Sequence, residues 1–236
     1  NSPSRLVTTP LVVPFSNTDA PMTSRPAAST TLPVAVNRWA NAFVELVQQF
    51  GQEQYEFILN ETQTYQIIKD VKNRFSDLGI LYISKSNENV LMKIFEENNL
   101  NFYELFTATP HVFLKREHPL AKKEKIKLKD LKPYPRLSFV QGTYESSNFA
   151  EELFSNEIVE KNIKISDRAA IVNFMIGLDG YTISSGIFPK YLHGDAIISI
   201  PLDEYEIMRI GYILNKDREL SELGKIYIEA LKQYQK

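Results

Sequence analysis

Cysteine is absent from the 236 residues. Disulfides, thiolate nucleophiles and cysteine metal sites are excluded with it, and the absence fits a reducing compartment. No apolar run approaches the roughly 18 residues needed to cross a bilayer. The chain does not open with the basic flank and apolar core of a signal peptide. A basic surplus is missing as well: 27 Lys and Arg stand against 29 Asp and Glu, with a net charge of −2 and a pI near 6.0. Free-standing nucleic-acid binders usually carry such a surplus. The run Lys122, Lys123, Lys125, Lys127, Lys129 alternates with apolar residues and reads as a solvated strand or loop face. No internal repeat is present.

Catalytic constellations are also lacking. The three histidines, His111, His118 and His193, have no acidic pair at metal-ligand spacing. His118 precedes a proline and His193 lies in a Leu-His-Gly turn, so all three read as structural or exposed. The nucleophile elbow, the zinc-protease helix, the phosphate loop and the dinucleotide fingerprint do not occur. Asp179-Gly180 reads as a turn and 203–206 as surface. The expectation is a protein that is not an enzyme, with no cofactor and no metal.

What remains is 43% hydrophobic and 24% charged, an ordinary globular composition in a chain long enough for one large domain or two lobes. The first 38 residues differ from the rest. They hold half of the 12 prolines and no Lys, Glu, Ile or Tyr. Such a stretch is either derived from cloning or read in a shifted frame, or it is a native Pro/Thr-rich linker with one strand over 5–13.

After residue 40, helical and strand patterns alternate. Phe43, Val44, Val47 and Phe50 share a helical face, as do Tyr65, Ile68, Val71 and Phe75, and then Val90, Leu91, Ile94 and Phe95. Strands are expected over 55–59, 78–84, 102–109, 111–115, 136–140, 158–165, 181–184, 196–200 and 206–214. The apolar run 78–84 fits a strand buried on both faces of a parallel sheet. Further helices are expected near 128–131, near 146–154, over 168–178 behind the Ser166-Asp167 cap, and after Ser221. The helix over 168–178 is apolar over a wide arc and should be well buried. The alternation argues for mostly parallel sheets covered by helices.

Three polar stretches stand at element junctions. One is Thr62, Gln63 and Thr64. A second runs through Gln141, Gly142, Thr143 and Ser146. The third is Thr182, Ser184, Ser185 and Gly186. Hydroxyls and free backbone N–H groups at helix N-termini suit polar ligands, although plain N-capping needs only one Ser or Thr per helix. These eleven residues are the candidate ligand-binding set. No Arg falls among them, which argues against a strongly acidic ligand.

Several segments resemble one family. His118-Pro119-Leu120-Ala121 followed by Leu128-Lys129-Asp130-Leu131, then Asp77-Leu78-Gly79-Ile80, the stretch 180–189, and Arg218-Glu219-Leu220-Ser221 keep the order and spacing of LysR-type transcriptional regulators. From roughly residue 40 to 236 the chain resembles their effector-binding domain, in the form found in low-GC Gram-positive bacteria. The resemblance implies a type 2 periplasmic-binding-protein-like α/β fold, two α/β lobes joined by two crossover strands. Lobe I would be 39–110 and 207–236, and lobe II 111–206. It implies a small-molecule effector in the interlobe cleft, with the three polar stretches as its contacts. It also implies a cytoplasmic homodimer or homotetramer that does not touch membrane. Operator DNA would be met only through a winged helix-turn-helix absent from this sequence. A stand-alone solute-binding protein of the same fold is the rival reading, against which the lack of an export signal and the His118 motif argue.

Overall fold

A computed structural model describes residues 27–30, 37–49, 58–142, 146–186 and 196–233. The described part falls into two compact units. Of the described residues, the first comprises 27–30, 39–49, 58–106 and 209–233, and the second 37–38, 107–142, 146–186 and 196–208.

The first unit is built on strands β1 (Ala27–Thr30), β2 (Ile58–Glu61), β3 (Leu78–Ile83), β4 (Leu100–Ala108) and β10 (Met208–Asn215), in the order β2-β1-β3-β10-β4. β1 runs parallel to both β2 and β3, whereas β10 runs antiparallel to β3. The expected first strand over 5–13 lies outside the described residues. Instead Ala27–Thr30 holds an inner position of the sheet, so part of the atypical first 38 residues belongs to the fold. Helices α1 (Asn37–Gln49), α2 (Thr64–Lys72), α3 (Glu88–Glu97) and α6 (Glu222–Lys232) complete the unit.

All six residues of β3 are buried, as a run without alternation requires. Gly79 at its second position has a specific cause. A Cβ there would lie 2.2 Å from Ile67 Cγ2, with Val71 and Ile213 also within 3.2 Å. Only a glycine lets α2 and β10 approach β3 this closely. Phe75 departs from the expected helical stripe. α2 ends at Lys72, Arg74 takes a φ of 62°, and Phe75 is 70% exposed.

The second unit contains β5 (His111–Lys115), α4 (Leu128–Leu131), β6 (Arg136–Phe139), β7 (Asn162–Ile165), α5 (Arg168–Leu178), β8 (Thr182–Ser184) and β9 (Ile197–Pro201). β5 is antiparallel to β8 and to β9, and β6 is parallel to β7. A parallel bridge between Arg136 and Tyr181 joins the two groups, with Leu137 N–H donating to the Tyr181 carbonyl at 2.7 Å. The resulting order, β7-β6-β8-β5-β9, repeats that of the first unit. Each sheet carries a strand reversed against the parallel run: β10 is antiparallel to β3 in the first, and β5 is antiparallel to β8 and β9 in the second.

The core of the second unit gathers Phe113, Leu137, Phe139, Ile165, Ile171 and Met175. Expectations fail at three places. The helix near 146–154 is only a 3-10 turn over Ser147–Phe149 followed by turns. The strand over 158–165 begins at Asn162, and Ile158 is fully exposed. The outer face of α5 is exposed at Ile176 and Leu178, so that helix is buried on one side only.

His118 shows why its motif is structural. Its ring is buried, Leu120 N–H donates to Nδ1 at 3.1 Å, and Nε2 lies 3.1 Å from the Asp179 carbonyl. Nδ1 must be unprotonated to accept, so Nε2 carries the proton and donates. Burial, the largest influence, holds the imidazole below its ordinary pKa, which favours this neutral form.

Candidate functional site

In each unit the polar stretches follow the carboxyl ends of parallel strands, the usual ligand side of an open α/β sheet. In the first unit Thr62–Thr64 links β2 to α2. Gln63 occupies the N-cap position without a side-chain cap bond, and Thr64 is buried in the first turn. Ser84, which the sequence reading did not single out, directly follows β3. Its N–H donates to Asn87 Oδ1 at 2.8 Å, and its Oγ lies 2.9 Å from Ser86 Oγ.

In the second unit, the parallel Arg136–Tyr181 bridge aligns β6 with β8. Gln141 and Gly142 follow β6, and Ser185 and Gly186 follow β8, so both pairs sit at the same end of neighbouring strands. Gly142 and Gly186 have φ of 65° and 74°, left-handed values that favour glycine. A Cβ on Gly186 would lie 2.3 Å from His111 Nδ1. Thr182 and Ser184 are fully buried within β8, and Thr182 Oγ1 has no hydrogen-bond partner. Thr143 lies outside the described residues.

Gln141 and Ser146 also line a solvent-connected pocket of about 180 Å³ within this unit. Its wall includes the outward face of β6 and β7. Leu137, Phe139, Ile163 and Ile165 turn toward the α5 core, so Arg136, Ser138, Asn162 and Lys164 present the opposite face. Arg136 is buried and donates through its two terminal nitrogens to the carbonyls of Phe154 and Leu153 at 2.7 and 2.9 Å. Glu152, also buried, accepts from Phe139 N–H at 2.8 Å. Gln141 Nε2 reaches Glu151 Oε1 at 3.4 Å, while Gln141 Oε1 is buried without a partner. A carboxylate accepts only, so Glu151 sets the orientation of this amide. Ser146 Oγ accepts from the backbone N–H and the side-chain amide of Asn148. The polar alternation Arg136, Ser138 against Leu137, Phe139 was visible as a period-two pattern. The buried acids of the covering segment had no such signal.

Among the described residues no group of three or more His, Cys, Asp or Glu could hold a metal ion. No helix there is long and apolar enough to cross a membrane.

A two-unit mixed α/β fold with polar loops at the strand ends defines a ligand-binding protein of the type 2 periplasmic-binding-protein class. Residues 31–236 match the LysR substrate binding domain model, and the chain belongs to that family. The family is the ligand-sensing regulatory domain of transcription factors. No curated protein sequence matches the chain. Solved structures show the same fold. The effector-binding domain of QuiR in complex with shikimate is 17% identical, covers 90% of this chain and 97% of its own, and has a TM-score of 0.60. The Synechocystis PCC6803 CcmR regulatory domain in complex with 2-PG is 17% identical over 90% and 96%, TM-score 0.60. The reduced OxyR regulatory domain from Pseudomonas aeruginosa is 11% identical over 87% and 96%, TM-score 0.62.

Proposed function

We propose that this chain senses a small polar effector through the loops at its strand ends and performs no chemistry on it. The observation that carries this reading is the sheet order repeated in both units, with hydroxyl- and amide-bearing loops at the carboxyl ends of the parallel strands. The contacts are Thr62, Gln63 and Thr64 in the first unit, and Gln141, Gly142, Thr143, Ser146, Thr182, Ser184, Ser185 and Gly186 in the second. Lobe I is 39–110 with 207–236, and lobe II is 111–206. The regulator works in the cytoplasm as a homodimer or homotetramer, and its Lys-, Asn- and Ile-rich composition fits a low-GC Gram-positive source. Effector binding shifts the population of domain states that the assembly presents to DNA. A stand-alone solute-binding role is not favoured, because the family match is to regulators.

A thermal-shift screen of metabolites, followed by calorimetry on the best binder, tests this. Thr143→Val and Ser185→Ala should each weaken binding with little change in stability. Unchanged affinity in both would reject those contacts.

A further inference from the structure

The pocket beside β6 and β7 is a place where a helix would ordinarily lie. The covering segment instead makes one 3-10 turn, and Phe154 turns at a φ of 58°. Arg136 takes up the Leu153 and Phe154 carbonyls that a continuing helix would have used itself. The result is a gap with a polar wall inside a single unit.

Four charged side chains line it. Arg136 and Glu152 are buried, while Lys164 and Glu157 are exposed. The formal sum is zero, with both signs displayed. A guest carrying both charges faces side chains of each sign as it leaves water. Gln141 adds a buried acceptor without a donor, and Ser138, Ser146 and Ser147 add hydroxyls. The volume equals that of about six water molecules at ~30 Å³ each, enough for a molecule between glycine and threonine in size.

We infer that this pocket binds a small zwitterionic amino acid, its ammonium toward Gln141 and Glu152 and its carboxylate toward Lys164. The inference rests on the reading of Gln141 and Ser146 as ligand contacts and names the ligand class for them. Gln141 Oε1 is sealed from solvent, so the side chain must shift slightly for the ammonium to reach it.

Calorimetry on the full chain with glycine, L-serine and L-threonine tests it. The comparison probes are 3-hydroxypropionate, which lacks the ammonium, ethanolamine, which lacks the carboxylate, and glycerol, which lacks both. The expected result is saturable binding of at least one amino acid, with the three comparison probes weaker by roughly tenfold or more. Gln141→Leu and Lys164→Met should each weaken that amino acid by roughly tenfold, and Lys93→Met on α3 should leave it unchanged. Lys164 is exposed, so its variant folds even if the Gln141 variant does not. No amino-acid binding, equal binding of any comparison probe, or an affinity indifferent to Lys164→Met overturns the inference. Should another metabolite bind and be weakened by Ser185→Ala, the effector-domain reading stands while this pocket assignment falls.

Discussion

Gly79 and Asp77 stand two residues apart in one motif, yet physical chemistry assigns them different work. Gly79 is a matter of space. Gly79→Ala forces a methyl to within 2.2 Å of Ile67 Cγ2, and overpacking of this kind costs about 1–3 kcal/mol. Urea denaturation should show that loss, with the midpoint lowered and the slope unchanged. Asp77 is a matter of charge. Burial raises its pKa to about 7, against the opposing pull of Arg218, whose guanidinium donates to Oδ1 at 2.8 Å. The second carboxylate oxygen is buried without a partner. Between the ordinary value of 3.8 and about 7, the folded chain holds a proton here that the unfolded chain has lost. Stability from this group is therefore fully present below pH 3.8 and declines as pH rises toward 7. Asp77→Asn should flatten that decline, so denaturation curves of the two proteins should agree more closely at pH 4 than at pH 8. A variant that keeps the full wild-type slope would place the titration elsewhere.

Elements whose signal is local were legible before the fold was known. Ser221 was expected to cap the last helix, and its Oγ accepts from Gly224 N–H at 3.1 Å. Ser221→Ala should cost about 1 kcal/mol, measurable as a lower melting temperature. The uninterrupted apolar run of β3 was equally plain, as were the buried Ile68 and Val71 of α2 and Leu91 and Phe95 of α3, although Phe75 and Val90 of the same stripes are exposed. Elements that depend on distant partners were not. Ala27–Thr30 is four small residues without alternation, and only its place beside β2 and β3 makes it a strand. The stretch after Ser146 has the residues of a helix opening, but Arg136 draws off two of its carbonyls and Glu152 turns inward to Phe139 N–H. The candidate site divides along the same line. Junction hydroxyls such as Ser185 could be found from spacing, whereas Arg136 and Glu152 entered the pocket through contacts that sequence periodicity does not encode.

At the scale of the whole molecule, the two sheets share an order but not a chain path. The sheet of the second unit is drawn from one continuous stretch, Thr107–Met208. That of the first is interrupted: β10 stands between β3 and β4, yet it is made after the entire second unit. Ending the chain at Met208 removes Ile210, Ile213 and Leu214 of β10, together with Tyr227, Ile228 and Leu231 of α6, all buried. At about 1.5–3 kcal/mol for each large apolar side chain, the loss is on the order of 10 kcal/mol. That is comparable to the whole stability of a domain, about 5–15 kcal/mol. The truncated chain should therefore lose amide hydrogen-exchange protection in β2 and β3 while β5, β6, β8 and β9 retain theirs. Protection surviving in β3 would mean that the first sheet closes without its return strand. Protection lost equally from β5 and β9 would mean that the second sheet, though continuous in sequence, depends on the first for its stability.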